Sequence, residues 1–208
     1  MKVIPAILLC LAIPVISISQ QFTASVLNRS ASAYAGIDNP VSCTVQGYSC
    51  KYIELTTNNG KMTKEGCSYI FHPERPDNSE ITIVFIKGNT RKKIGGFFVA
   101  VREMPVGQTS VGGQNGGEMI KAALIHQQGI LGSHQFEIRH VVDSFTVTAF
   151  RNDTILYHKQ QKGNLFSEET RTFFRSLQAK DVVLFSGIIS IGPDKKRKRA
   201  NPIEFIIR

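Results

Sequence analysis

Five adjacent cations, Lys195, Lys196, Arg197, Lys198 and Arg199, directly follow Gly192-Pro193-Asp194 and are the densest charge feature of the chain. Such a run can meet an acidic protein surface, anionic lipid headgroups or nucleic acid, because neighbouring like charges sum their potentials. Nucleic acid fits worst, since no aromatic platform for base stacking accompanies the run. The plain alternative is a solvated hairpin tip whose repulsion keeps a sheet edge from pairing. The run is expected to contact an acidic partner, with all five cations as candidate residues.

The remaining reactive side chains are scattered. Five histidines (His72, His126, His134, His140 and His158) and sixteen carboxylates show no nucleophile elbow and no metal-binding helix spacing. Each histidine reads as a surface or hydrogen-bonded group, with His140 on a strand, and Asp143-Ser144 reads as a strand bend. Val106–Gly117 holds five glycines, yet no Gly-Lys-Ser/Thr follows to cradle a phosphate. No catalytic constellation, cofactor site or metal site is expected. Asn152-Asp-Thr154 matches the eukaryotic glycosylation acceptor pattern.

The elements that must position these residues are short strands. Val41-Ser-Cys-Thr-Val45 alternates with period two, Tyr52–Leu55 leads into Asn58-Asn59-Gly60, and Ser68–Phe71 ends in a proline-rich turn. Ile81–Ile86 and Phe97–Val101 complete a set that reads as an antiparallel sandwich. Arg91–Lys93 sits in the hairpin between them, where solvation suffices. Past a break at Met104-Pro105, Glu118–Gln128 reads as a short helix ended by Gly129. Gln135–Phe150 alternates, with Ile155–Tyr157 as its hairpin partner. Ser167 has the character of an N-cap ahead of Glu168 and Glu169, for a helix burying Phe173, Phe174 and Leu177. Val182–Ile191 and Pro202–Ile207 supply further strands.

Met1–Ser19 has a positive start at Lys2, an apolar run over Val3–Ile16 and a small-x-small end, which is the pattern of a cleaved signal peptide. No later stretch has the roughly 20 apolar residues of a membrane-spanning helix. Cleavage removes Lys2 and lowers the formal net charge from +9 to +8. Export makes the compartment oxidising, and three cysteines remain. Cys43 shares a strand face with Val41 and Val45 and behaves as a small hydrophobe, which favours a Cys50–Cys67 bridge; the sequence leaves the pairing open.

Taken together, YAGIDNPVSCTVQG (34–47), FFVAVREMPVGQTSVGG (97–113), GGEMIKAALIHQQGI with FEIRHVVDSFTVTAF, and DVVLFSGIISIGPD with PIEFII resemble the C-terminal periplasmic region of GldM. GldM, called PorM in non-gliding relatives, is the gliding-motility and type IX secretion protein family. The match runs in order over about residues 33–208. One departure lies in the last motif, where the family tends to have glycine after the aspartate and this chain has Lys195. The resemblance implies a free-standing exported copy of the last two domains, without the family's membrane-coupled segment, in a Bacteroidota-type periplasm. Fold does not carry function with it.

The chain is therefore expected to be mainly β, with an immunoglobulin-like β-sandwich followed by a second β-rich domain with two short helices. The expected order is signal peptide 1–19, N-terminal extension 20–32, sandwich 33–102 and GldM C-terminal-like domain 103–208. The expected function is non-catalytic protein–protein interaction in the periplasm, as an accessory or paralogue of the secretion machinery. By resemblance, the partners are outer-membrane-associated ring components, and a homodimer is conceivable. A secreted binding module or inhibitor unrelated to secretion is the first alternative, and a hydrolase on a β-sandwich scaffold the second.

Overall fold

Asn39–Val45 buries every second side chain, from Asn39 and Val41 to Cys43 and Val45, as a half-buried strand must. That alternation recurs through the first half of the molecule. The structure is a computed structural model that describes residues 22–26, 32–132, 134–135 and 138–208. The expected signal peptide, 1–19, lies outside the described residues.

The first eight strands are β1 (Phe22–Val26), β2 (Ala33–Tyr34), β3 (Asn39–Val45), β4 (Ile53–Thr57), β5 (Lys61–Glu65), β6 (Ser68–His72), β7 (Asn78–Lys87) and β8 (Thr90–Arg102). They form two four-stranded sheets, β1-β3-β6-β5 and β2-β8-β7-β4. Val41, Cys43, Tyr69 and Phe71 from one sheet meet Ile53, Leu55, Ile81, Ile83, Val99 and Val101 from the other in one apolar cluster. The fold is mainly β, and this half is a β-sandwich.

Phe22–Val26, expected within an N-terminal extension, is instead an edge strand of the sandwich, with Phe22 opposite Val45 and Val26 opposite Val41. The free edge of β3 offers backbone donors and acceptors, and an adjoining extended segment satisfies them better than water alone.

Two buried asparagines hold the turns. Asn39 Oδ1 accepts from the Tyr34 N–H at 2.8 Å, and its Nδ2 donates to the Tyr34 and Ile37 carbonyls at 2.9 Å. Asn59 donates to the Arg75 carbonyl and Ser79 Oγ, both at 2.8 Å, and accepts from the Glu74 and Arg75 N–H groups. Its neighbour Gly60 has φ +79°, and a Cβ there would stand 2.1 Å from the His72 carbonyl oxygen. The Asn-Gly pair read from sequence as a turn is thus fixed by both of its residues. Cys50 and Cys67 are joined with Cα atoms 5.4 Å apart, and Cys43 is a buried free thiol. Burial pushes the Cys43 thiol above its ordinary range.

Beyond residue 108 the strands are β9 (Thr109–Ser110), β10 (Gly117–Met119), β11 (Leu131–Gly132), β12 (His134–Gln135), β13 (Ile138–Arg139), β14 (Val141–Arg151), β15 (Thr154–Lys162), β16 (Val182–Ile191), β17 (Arg197–Arg199) and β18 (Ile203–Ile207). The helices are α1 (Lys121–His126) and α2 (Glu168–Ser176). The main sheet runs β10-β18-β16-β14-β15, and β17 pairs with β16. Leu124 of α1 and Phe174 of α2 join Phe145, Phe166, Phe185 and Phe205 in its core. Ser167 caps α2 by accepting from the Thr170 N–H at 3.3 Å, as its position before two glutamates suggested.

The helix expected over Glu118–Gln128 is shorter. Glu118 and Met119 pair in parallel with Ile206 and Ile207, so only Lys121–His126 is helical. The hydrogen bonds of the C-terminal strand outweigh a helical preference too short to nucleate alone. Asn152 and Asp153, with φ 45° and 64°, make the tight turn between β14 and β15. The bend expected at Asp143-Ser144 appears as a register shift against β16 between Val142 and Ser144.

Candidate interaction surface

The basic run is not a uniform tip. Gly192–Asp194 turns the chain, and the Lys195 N–H closes the turn onto the Gly192 carbonyl at 3.0 Å. Lys195 takes φ 58°, a left-handed conformation that glycine adopts at less cost. Arg197–Arg199 then pair with Ile191–Ile189 of β16, and strand alternation separates their side chains. Arg197 and Arg199 are exposed, whereas Lys198 is turned inward. Lys195 and Lys196 are exposed in the turn.

The inward lysine is structural. Lys198 Nζ donates to the Met104 carbonyl and lies 4.0 Å from the buried Asp194 carboxylate. Beside it, His140 Nε2 approaches the Pro105 carbonyl at 3.1 Å. A Cβ on Gly107 would stand 2.4 Å from the His140 ring, and one on Gly192 would stand 2.9 Å from Asp194 Oδ1. His140, expected on a strand, sits between β13 and β14 and is buried against the 103–108 connection. His140 and Lys198 thus converge on the carbonyls of Pro105 and Met104, and Asp194 faces the Lys198 ammonium and accepts from the Lys196 N–H. Their chemistry is to hold the connection between the two cores in place.

The outward cations border two surface hollows. Arg199, Asn201, Asn115, Gln108 and Val106 line a cavity of about 320 Å³ beside the connection. Arg197 borders a larger cleft of about 640 Å³, with Val141, Ile191, Gln160, Lys162 and Ser144 among its walls. Asp143 pairs with Arg197 at 2.6 Å, and the Asp143 carbonyl accepts from the Gly163 N–H at 2.6 Å. The cleft exists because β15 ends at Lys162 while β14 continues back to Val141. Sequence reading missed Val141, Gln160, Lys162 and Ile191. The signal was the doublet Val141-Val142, where one valine of an alternating strand must face outward.

The other histidines lie apart. His72 Nδ1 is 2.8 Å from Asp38 Oδ1 at the surface, and His158 Nδ1 is 3.0 Å from Thr148 Oγ1. His126 ends α1, and the side chain of His134 is outside what the structure describes. Among the described residues no three His, Cys, Asp or Glu side chains gather as a metal ion needs. Among the same residues no helix is long and apolar enough to cross a membrane.

No family model matches the chain, and no curated protein matches it. Among solved structures it is similar to "Tandem Ig repeats of Dlar", at 8% identity and a TM-score of 0.27, over 91% of this chain and 97% of that one. A likeness of that depth carries no argument about ancestry or activity.

Proposed function

We propose that this chain is a non-catalytic, exported protein–protein interaction module that binds an acidic partner through the β16–β17 face. The observation that carries the reading is the alternation of the basic run. Lys198 is used inward, which leaves Lys195, Lys196, Arg197 and Arg199 exposed on one hairpin. Among the described residues, Lys195, Lys196 and Arg199 have no ion pair, and Arg197 has Asp143. A concentrated positive surface speeds and selects encounters with negative ones.

The motif resemblance to GldM supports a narrower reading. In it the module works in the periplasm of a gliding or type IX secretion system, as an accessory or paralogue. Its partners are then outer-membrane-associated ring components.

Affinity capture from the native periplasm tests both levels. Serine at Lys195, Lys196, Arg197 and Arg199, sparing Lys198, is expected to abolish capture, and raised salt is expected to weaken it in the native chain. Unchanged capture by the serine variant overturns the charged-face reading. A salt-sensitive partner that is not a ring component overturns the secretion reading and favours a binding module of another pathway.

A further inference from the structure

The cleft at the end of β15 deepens that reading, on which it rests, by fixing the chemistry of what docks. Val141 is 51% exposed, on a sheet whose other face packs onto the phenylalanine core. It lies opposite Ile191, which lies opposite Arg197, so a row of valine, isoleucine and arginine crosses three strands on one face. On the other side, Lys162 is opposite Ser144 and exposed, with no ion pair among the described residues. Asp143, the acidic group in the cleft, is engaged by Arg197. The hollow therefore has an apolar floor and a cation at each end.

We propose that this cleft is a docking groove for an extended acidic segment of a partner protein, with an apolar side chain between two carboxylates. The spacing follows from sheet geometry. Lys162 is level with Ser144 and Ile189, and Arg197 with Ile191, so the two stand three strand intervals apart across the sheet and two residues apart along it, or roughly 16 Å. In an extended peptide, residues i, i+2 and i+4 share a face, and i to i+4 spans roughly 13 Å. A peptide laid diagonally across the strands then brings carboxylates at i and i+4 to Lys162 and Arg197, whose long side chains take up the remaining few ångströms, and an apolar residue at i+2 covers Val141 and Ile191. The carboxylate at the Arg197 end shares the guanidinium with Asp143, or displaces it. Lys195 and Lys196, in the turn before Arg197, add long-range attraction at that end.

The test uses the full chain and a labelled pentapeptide, glutamate-serine-isoleucine-serine-glutamate, read by fluorescence anisotropy at low salt. Saturable binding is expected, and Lys162→Glu and Val141→Glu should each weaken it about tenfold. Both positions are exposed, so folding should be kept, as an unchanged melting temperature would show. Lys92→Glu, exposed on β8 of the first sandwich, makes the same charge change as Lys162→Glu and should leave binding within about twofold. Moving both glutamates to one side of the isoleucine should cost about as much as Lys162→Glu.

Equal weakening by Lys92→Glu and Lys162→Glu would show net charge alone and overturn the groove. No saturable binding overturns it as well, as does binding to phosphatidylglycerol vesicles in place of the peptide. If the serine variant loses its periplasmic partner while Lys162→Glu and Val141→Glu retain it, the groove fails and the charged-face reading stands.

Discussion

The two halves of the molecule are built from similar strands but held by different means. In the second, five phenylalanines, Phe145, Phe166, Phe174, Phe185 and Phe205, form a continuous ring cluster with neighbouring centroids 5.2–6.4 Å apart. In the first, the fully buried aromatics among the described residues are Tyr69 and Phe71, and Tyr69 must donate its hydroxyl to the Ile53 carbonyl at 2.7 Å. Burial there pushes the Tyr69 phenol up to about 12. What the first half lacks in aromatic burial it replaces with cross-links: the Cys50–Cys67 disulfide, Lys64 Nζ donating to the Cys50, Lys51 and Ile53 carbonyls, and the two asparagine plugs. The comparison teaches that one half is stabilised chiefly by burial and the other by fixing its turns. The exposed cations stand on the half with the phenylalanine cluster.

The comparison breaks if damage to one half spreads to the other. Phe185→Ala should have the largest effect, about 4 kcal/mol, because it empties the centre of the ring cluster. Urea unfolding should then show an early transition for the second half with the first unchanged. Reducing Cys50–Cys67 should cost about 3 kcal/mol, from the entropy returned to the unfolded loop, and move only the first half. Asn59→Ala should cost about 2 kcal/mol by leaving the Glu74 and Arg75 N–H groups without their acceptor. Hydrogen exchange at residues 58–60 and 74–79 reports it locally.

The smallest effect is expected from one of the polar contacts that the second half uses, beside the buried network of Gln161, Thr170 and Ser167. Asp181, buried, accepts from Arg151 Nε at 2.7 Å and Nη2 at 2.8 Å, and from the Gln178 N–H at 2.7 Å. The Arg151 hydrogen bonds hold its carboxyl below the ordinary value of 3.8, against the opposing pull of burial. A carboxyl more acidic in the folded chain contributes its stability in full above the ordinary value. That contribution is lost as pH falls through the lowered one. The difference in urea midpoint between the native chain and Asp181→Asn should be constant from about pH 5 to 7 and shrink below about pH 4. Arg151 is a third exposed and stays hydrated, which keeps the effect below that of Asn59→Ala.

Much of this was legible in adjacent residues. Strand alternation at 41–45, the Asn58-Asn59-Gly60 turn, the Ser167 cap and the β14–β15 hairpin each rest on a few neighbouring side chains. The cleft was not legible, because Val141, Lys162, Ile191 and Arg197 come from four strands and meet only through register. His140 was misplaced on a strand for the same reason, since what buries it is a connection more than 30 residues earlier in the chain.

The sequence by itself determined a mainly β chain with a concentrated basic run, because alternation and charge are local properties. Only the tertiary structure decided that Phe22–Val26 is a strand, that α1 begins at Lys121, and that one lysine of the run turns inward while its neighbours face solvent. Each of those outcomes depends on which backbone edge or carbonyl a distant segment presents. The chain writes such pairings nowhere within a single stretch of residues.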